Sequence, residues 1–190
     1  MRRLSWCIGI ALLACAAYGG YRIFQNKKKW FCSGNTVEVD GGVIHNCKNS
    51  TAPKAIRSTE ITEFHCVFSL YAVVDPGSLG SRVYSLDAVL DNSIVKGSMN
   101  WYDRTDSDHF VFDATPVFLE KLQQAVAKHN LAQHNGYVYT VSGLPDMYGA
   151  KLDIVYQSGE AIYANDNQDC FLSMEAMEDL VKVFREYARR

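Results

Sequence analysis

Net charge is what the sequence most lacks. Its 190 residues carry 19 Lys and Arg against 21 Asp and Glu, a formal net charge of -2. No basic field is available to hold a phosphate backbone, and that excludes nucleic-acid binding. Cysteine is sparse and scattered: Cys7, Cys15, Cys32, Cys47, Cys66 and Cys170, with no C-x-x-C pair. This excludes a disulfide scaffold and leaves room for one or two bridges in an oxidising compartment. No G-x-S-x-G is present, so there is no nucleophile elbow. The oxygen-rich run Asn165-Asp166-Asn167-Gln168-Asp169 lacks the central Gly and the closing Glu of a calcium loop, and Asp103, Asp106 and Asp108 fail in the same way. Both groups read as turn and cap residues whose side chains bond the local backbone.

What is present begins with an apolar run, Leu4 to Tyr21, after Arg2-Arg3. As a helix it spans about 27 Å, close to bilayer thickness. Arg22 and Lys27-Lys28-Lys29 end it, with Tyr18, Tyr21 and Trp30 placed as interfacial anchors. Residues 1–24 therefore read as a single-pass transmembrane anchor. Two other readings exist: a lipobox at Leu12-Leu13-Ala14-Cys15, and signal cleavage at Ala14-Cys15-Ala16. Leu13 is bulky for a lipobox, and the apolar run continues past the cleavage site. The expected location is the cell membrane with the C-terminal domain extracytoplasmic, as for short N-terminal anchors in bacteria.

Residues 25–58 show no sustained periodicity and read as a juxtamembrane linker. Within it, Trp30-Phe31-Cys32-Ser33-Gly34-Asn35, then His45-Asn46-Cys47 and Pro53-Lys54, resemble a degenerate bacterial zinc ribbon. Gly34 or Asn35 stands where a second Cys belongs, and His45 is the only substitute beside Cys47. Three candidates do not close a tetrahedral structural site, so no metal is expected. A Cys32–Cys47 disulfide and a plain linker both remain open.

From residue 59 the pattern is regular, and 59–190 reads as one folded domain. Thr62, Phe64, Cys66, Phe68, Leu70 and Ala72 alternate with Glu63, His65 and Ser69, the signature of a half-buried strand. Further strands are expected at 82–90, 94–102, 108–114, 137–143, 150–157 and 160–165, with a tight turn at Asp91-Asn92-Ser93. Thr115-Pro116 opens one helix, with Phe118, Leu119, Leu122, Ala125 and Val126 as its stripe. Ser173 caps a second, with Met177, Leu180, Val181 and Phe184 at helical spacing. Strand–turn–strand–helix thus occurs twice, at 94–130 and 150–188. Short connections favour antiparallel neighbours. The expected fold is α+β: an antiparallel sheet of about six to seven strands with two helices packed on one face.

The segments Asp103-Arg104-Thr105, Ala132-Gln133-His134-Asn135-Gly136, Ser142 to Gly149 and Ile162 to Asp169 are similar to those of an uncharacterised bacterial family. Its α+β domain follows a membrane anchor or zinc ribbon. The resemblance covers residues 58–187 and implies architecture without chemistry.

Candidate binding residues are Asp146, Met147 and Tyr148, on the loop from Gly143 to Gly149, with Trp101 and Tyr102 on a neighbouring hairpin. The leading functional reading is a membrane-tethered, non-catalytic domain that binds a protein, peptide or envelope component. No catalytic residue or cofactor is assigned. One alternative is a hydrolase using the polar sheet face, with His65, Ser85 and Asp87. Another is a redox- or zinc-responsive module on Cys32, His45 and Cys47.

Overall fold

The computed structural model describes residues 35–39, 42–49, 51–71, 73, 75–142 and 149–188. The transmembrane segment expected at 1–24 lies outside these residues, as do Cys32, Asp146, Met147 and Tyr148. Among the described residues, no helix is long and apolar enough to cross a membrane.

The described residues form nine strands in a single sheet: β1 (Asn35–Val39), β2 (Gly42–Lys48), β3 (Ile61–Ser69), β4 (Val83–Asp91), β5 (Ile94–Tyr102), β6 (Ser107–Ala114), β7 (Tyr137–Val141), β8 (Ala150–Tyr156) and β9 (Ala161–Asp166). Two helices, α1 (Val117–Lys128) and α2 (Met174–Ala188), complete the α+β fold. The sheet order is β1-β2-β7-β9-β8-β3-β4-β5-β6. The chain runs outward through β3 to β6 as a meander, and α1 then connects it to β7 on the far side of β3. β8 returns to pair with β3, and β9 fills the gap between β8 and β7.

Two features depart from the expected sheet. The stretch read as linker supplies β1 and β2, an edge hairpin whose β2 pairs antiparallel with β7 from Ile44↔Val141 to Lys48↔Tyr137. The ladder is also not wholly antiparallel, because β7 and β9 run parallel. Their connection contains all of β8, long enough for a parallel crossover.

Period two in β3 sets the two faces. Phe64, Cys66 and Phe68 are buried, as are Leu86, Leu152, Ile154 and Ile162 on neighbouring strands. Both helices cover this face. Phe118 of α1 meets Phe184 of α2 at 5.0 Å and 88°, and Tyr187 at 5.0 Å and 85°. Each edge-to-face pair adds about 0.5–1.5 kcal/mol to the area it buries. Phe112 of β6 joins the cluster, and its ring fills the space above Gly97, where a Cβ would lie 2.3 Å from it.

The local signals act as expected in all but one place. Asn92 and Ser93 both take positive φ, 47° and 73°, as a two-residue hairpin turn requires. Ser173 Oγ accepts the N–H of Ala176 at 3.2 Å and caps α2. Thr115 differs: its backbone carbonyl, not its hydroxyl, accepts the N–H of Phe118 at 3.0 Å, and no side chain caps α1. With Pro116 in the first turn, one N–H is already absent and less remains to cap.

Candidate functional site

The face of the sheet opposite the helices is polar and open. Across β4, β3, β8 and β9, Asp87, His65, Asp153 and Tyr163 stand side by side in cross-strand register. They share a face because each is an odd step from the buried positions of its strand. His65 therefore sits between two aspartates.

Its Nδ1 hydrogen-bonds Asp87 Oδ1, and Ser85 Oγ donates to Asp87 Oδ2 at 3.1 Å. Asp87 thus holds both the serine and the histidine. On the other side, Lys151 Nζ lies 3.5 Å from Asp153 Oδ2, while the buried Asp153 Oδ1 has no hydrogen-bond partner. Burial, and then the nearby charge of Asp153, raise the pKa of Tyr163, which stays a neutral phenol.

Beside this row a cleft of about 560 Å³ opens, lined by His65, Thr140, Ser142, Lys151, Tyr163 and Asn165. That size is within the range of small-ligand sites, but the lining is richer in hydroxyls and amides than most. Its charges are matched internally. Lys151 faces Asp153, and Asp166 spends Oδ2 on the Tyr137 hydroxyl and Oδ1 on the N–H groups of Gln168 and Asp169. Gly149 also lines it, where a Cβ would lie 2.0 Å from the Asp166 carbonyl oxygen, so no larger residue fits.

The sequence-predicted residues fall in different places. Ser85, Asp87 and His65 are joined by hydrogen bonds, but in the order Ser–Asp–His. A serine nucleophile needs its Oγ bonded to the imidazole, with the carboxylate on the ring's other nitrogen. Here Asp87 stands between them, so Ser85 has no base. Trp101 and Tyr102 are consecutive on β5 and face opposite sides. Trp101 packs against the core with the Arg82 guanidinium 3.7 Å from its ring centre, whereas Tyr102 is exposed. Neither lines the cleft.

The two oxygen-rich runs are turns, as expected. Asp103 Oδ1 accepts the N–H groups of Thr105 and Asp106, each at 2.8 Å, and Asp166 closes the turn after β9. Cys47 is buried and disulfide-bonded, so its Sγ is not available to a metal. Among the described residues no cluster of three His, Cys, Asp or Glu side chains is arranged to hold a metal ion.

Sequence reasoning missed the cleft-lining Thr140, Lys151, Tyr163 and Asn165. Their one signal was alternation in β7, β8 and β9, which places them on the polar face. Comparison with family models, curated proteins and solved structures finds no match for the chain.

Proposed function

We propose that the protein is a membrane-tethered, non-catalytic binding domain, and that a protein, peptide or envelope component occupies the cleft on its open sheet face. The observation that carries this is the cleft's lining: the hydroxyls of Thr140 and Ser142, the amides of Asn165 and Asn167 and the Tyr163 ring beside Val67, Val141 and Ala150, with Lys151 facing Asp153 and Asp166 bonded to the Tyr137 hydroxyl. Such a wall offers hydrogen bonds and ring contact to an uncharged polar ligand. It offers little to a phosphate or a strongly acidic chain. The apolar run Leu4 to Tyr21 supplies the tether, as a transmembrane helix ahead of the domain. The disulfide at Cys47 supports an extracytoplasmic position, since such bonds persist in oxidising compartments. The likeness to membrane-anchored bacterial domains belongs to the same proposal.

The test is binding of the full chain, in detergent, to arrays of neutral oligosaccharides and of uncharged peptides. Thr140→Val and Tyr163→Ala should each weaken the strongest signal at least tenfold without lowering the melting temperature. Unchanged binding in both would move the ligand elsewhere. A reporter fused after Arg190 reads the side of the membrane.

The hydrolase reading has one observation in its favour, the imidazole of His65 held by Asp87. It requires turnover of an ester or amide that His65→Ala abolishes. Because Ser85 has no base, Ser85→Ala should leave any such turnover intact.

A further inference from the structure

β6 is the last strand of the sheet, and among the described residues its outer edge meets no other strand. Protein edges are commonly shielded by Lys, Pro or a bulge. β6 has the sequence SDHFVFDA, without Lys or Pro, and its register with β5 runs unbroken from Val95↔Ala114 to Tyr102↔Ser107. Only its first half is shielded. Asp106 Oδ1 accepts the N–H of Ser107 at 2.8 Å, and Asp108 Oδ1 accepts that of His109 at 2.9 Å. Those N–H groups point away from β5. By alternation, the backbone groups of Val111 and Asp113 also point outward, and among the described residues no side chain covers them. Val111 is 71% exposed, more than any other large hydrophobic residue described.

We propose that β6 pairs antiparallel with β6 of a second copy of this chain, about a two-fold axis at Val111. Residues opposite each other in a continuous sheet share a face, so pairs must have the same parity. With the axis at Val111, Val111 meets Val111, His109 meets Asp113, and Phe110 meets Phe112. With the axis at Phe110, Asp108 meets Phe112 and His109 meets Val111. With the axis at Phe112, Val111 meets Asp113. Rings meet in all three registers, but only the first sets an imidazole opposite a carboxylate and keeps Asp108 and Asp113 off large apolar side chains.

The side chains are prepared for it. His109 Nδ1–H is donated to Asn100 Oδ1, so Nε2 donates to the carboxylate of the other copy when the ring is an imidazolium. Asp113 Oδ2 accepts Lys96 Nζ at 2.6 Å, leaving Oδ1. On the helix-bearing face, Phe112 already packs on Phe118, Phe184 and Tyr187, and Phe110 is half-buried beside the core. Pairing extends that cluster across the axis. Val111 N–H then donates to the Val111 carbonyl of the other copy, and Asp113 N–H to the His109 carbonyl, each reciprocally, while Asp108 Oδ1 gives up the His109 N–H to the Asp113 carbonyl. The interface is isologous and closes at two copies.

Sedimentation of the full chain in detergent, from micromolar concentration upward, tests this. The parent should sediment as a dimer at the upper concentrations. V111K should sediment as a monomer that melts at the temperature of the dilute, monomeric parent, because the site is exposed in the single chain. Under mild oxidation V111C should cross-link, with mass spectrometry joining position 111 to position 111. H109C and D113C should cross-link together as a double variant, and neither by itself. A parent that stays monomeric, a dimer that survives V111K, or self-linking of H109C in preference to V111C would each overturn the proposal.

Discussion

Asn135 is tied to Ala161: its Nδ2 donates to the Ala161 carbonyl at 2.9 Å. The same Nδ2 donates to the Pro53 carbonyl at 2.9 Å, and Oδ1 accepts the N–H of Tyr163 at 2.9 Å. One fully buried amide thus joins the segment after β2, the turn before β7, and β9. Asn135→Ala strands an N–H and two carbonyls, which is expected to cost about 2–4 kcal/mol. Urea unfolding should show a lower midpoint at an unchanged slope. A loss under about 0.5 kcal/mol would mean that water replaces the amide.

The bond from His65 to Asp87 makes a prediction about a proton. An ionised Asp87 accepts only, so a neutral His65 must carry its hydrogen on Nδ1. Nitrogen-resolved NMR of the imidazole should report the Nδ1–H tautomer in the parent. Asp87→Ala should shift the population toward Nε2–H, the commoner form in free imidazole. Ser85→Ala should leave the tautomer unchanged, since Ser85 touches Asp87 and not the ring. An Nε2–H tautomer in the parent would disprove the arrangement.

Much of this face was legible in the sequence. Phe64, Cys66 and Phe68 alternate with His65, and that alternation fixes which side chains point away from the helices. Asp91-Asn92-Ser93 marks its turn because few other residues accept positive φ. The edge hairpin of β1 and β2 was hidden but for one signal, Asp40-Gly41 between Val37-Glu38-Val39 and Val43-Ile44. Its strands are short, and Asn35, Asn46 and Lys48 break the apolar pattern, since an edge strand need bury only part of one side. The parallel pairing of β7 with β9 was equally hidden, because it depends on where α1 delivers the chain. Asn135 looked like a turn residue; its three partners are distant in sequence, and no local pattern encodes them. The cleft arises from that same distant pairing, which is why its residues were missed.

Asp103 ties acid stability to one turn. Hydrogen bonds from the backbone and side chain of Thr105, then from Asp106 and Arg82, lower its pKa from 3.8 to about 2. A carboxyl with a lower pKa in the folded state stabilises the fold when ionised. Its contribution is complete above pH 3.8 and disappears as pH falls toward about 2. Asp103→Asn removes the ionisation. Melting temperature plotted against pH should therefore fall less steeply below pH 4 in the variant than in the parent, and parallel curves would refute the assignment.

The disulfide at Cys47 is expected to govern the β1–β2 edge rather than the whole fold. Among the described residues β2 is held to the rest of the sheet through β7, helped by the N–H of Asn49 on the Gly136 carbonyl and the N–H of Ser142 on the Val43 carbonyl, both at 2.8 Å. The helices pack elsewhere, so the hairpin relies on few apolar contacts and gains most from a covalent tie. Closing such a loop contributes about 2–4 kcal/mol. Reduction should therefore speed hydrogen exchange in 42–48 and 137–141 while β3 to β6 keep their protection. Cys66 and Cys170, both free, serve as internal controls. In unfolded, unreduced protein they should alkylate and Cys47 should not. Labelling of Cys47 without reductant would remove the bridge, and with it the support it lends to an oxidising compartment.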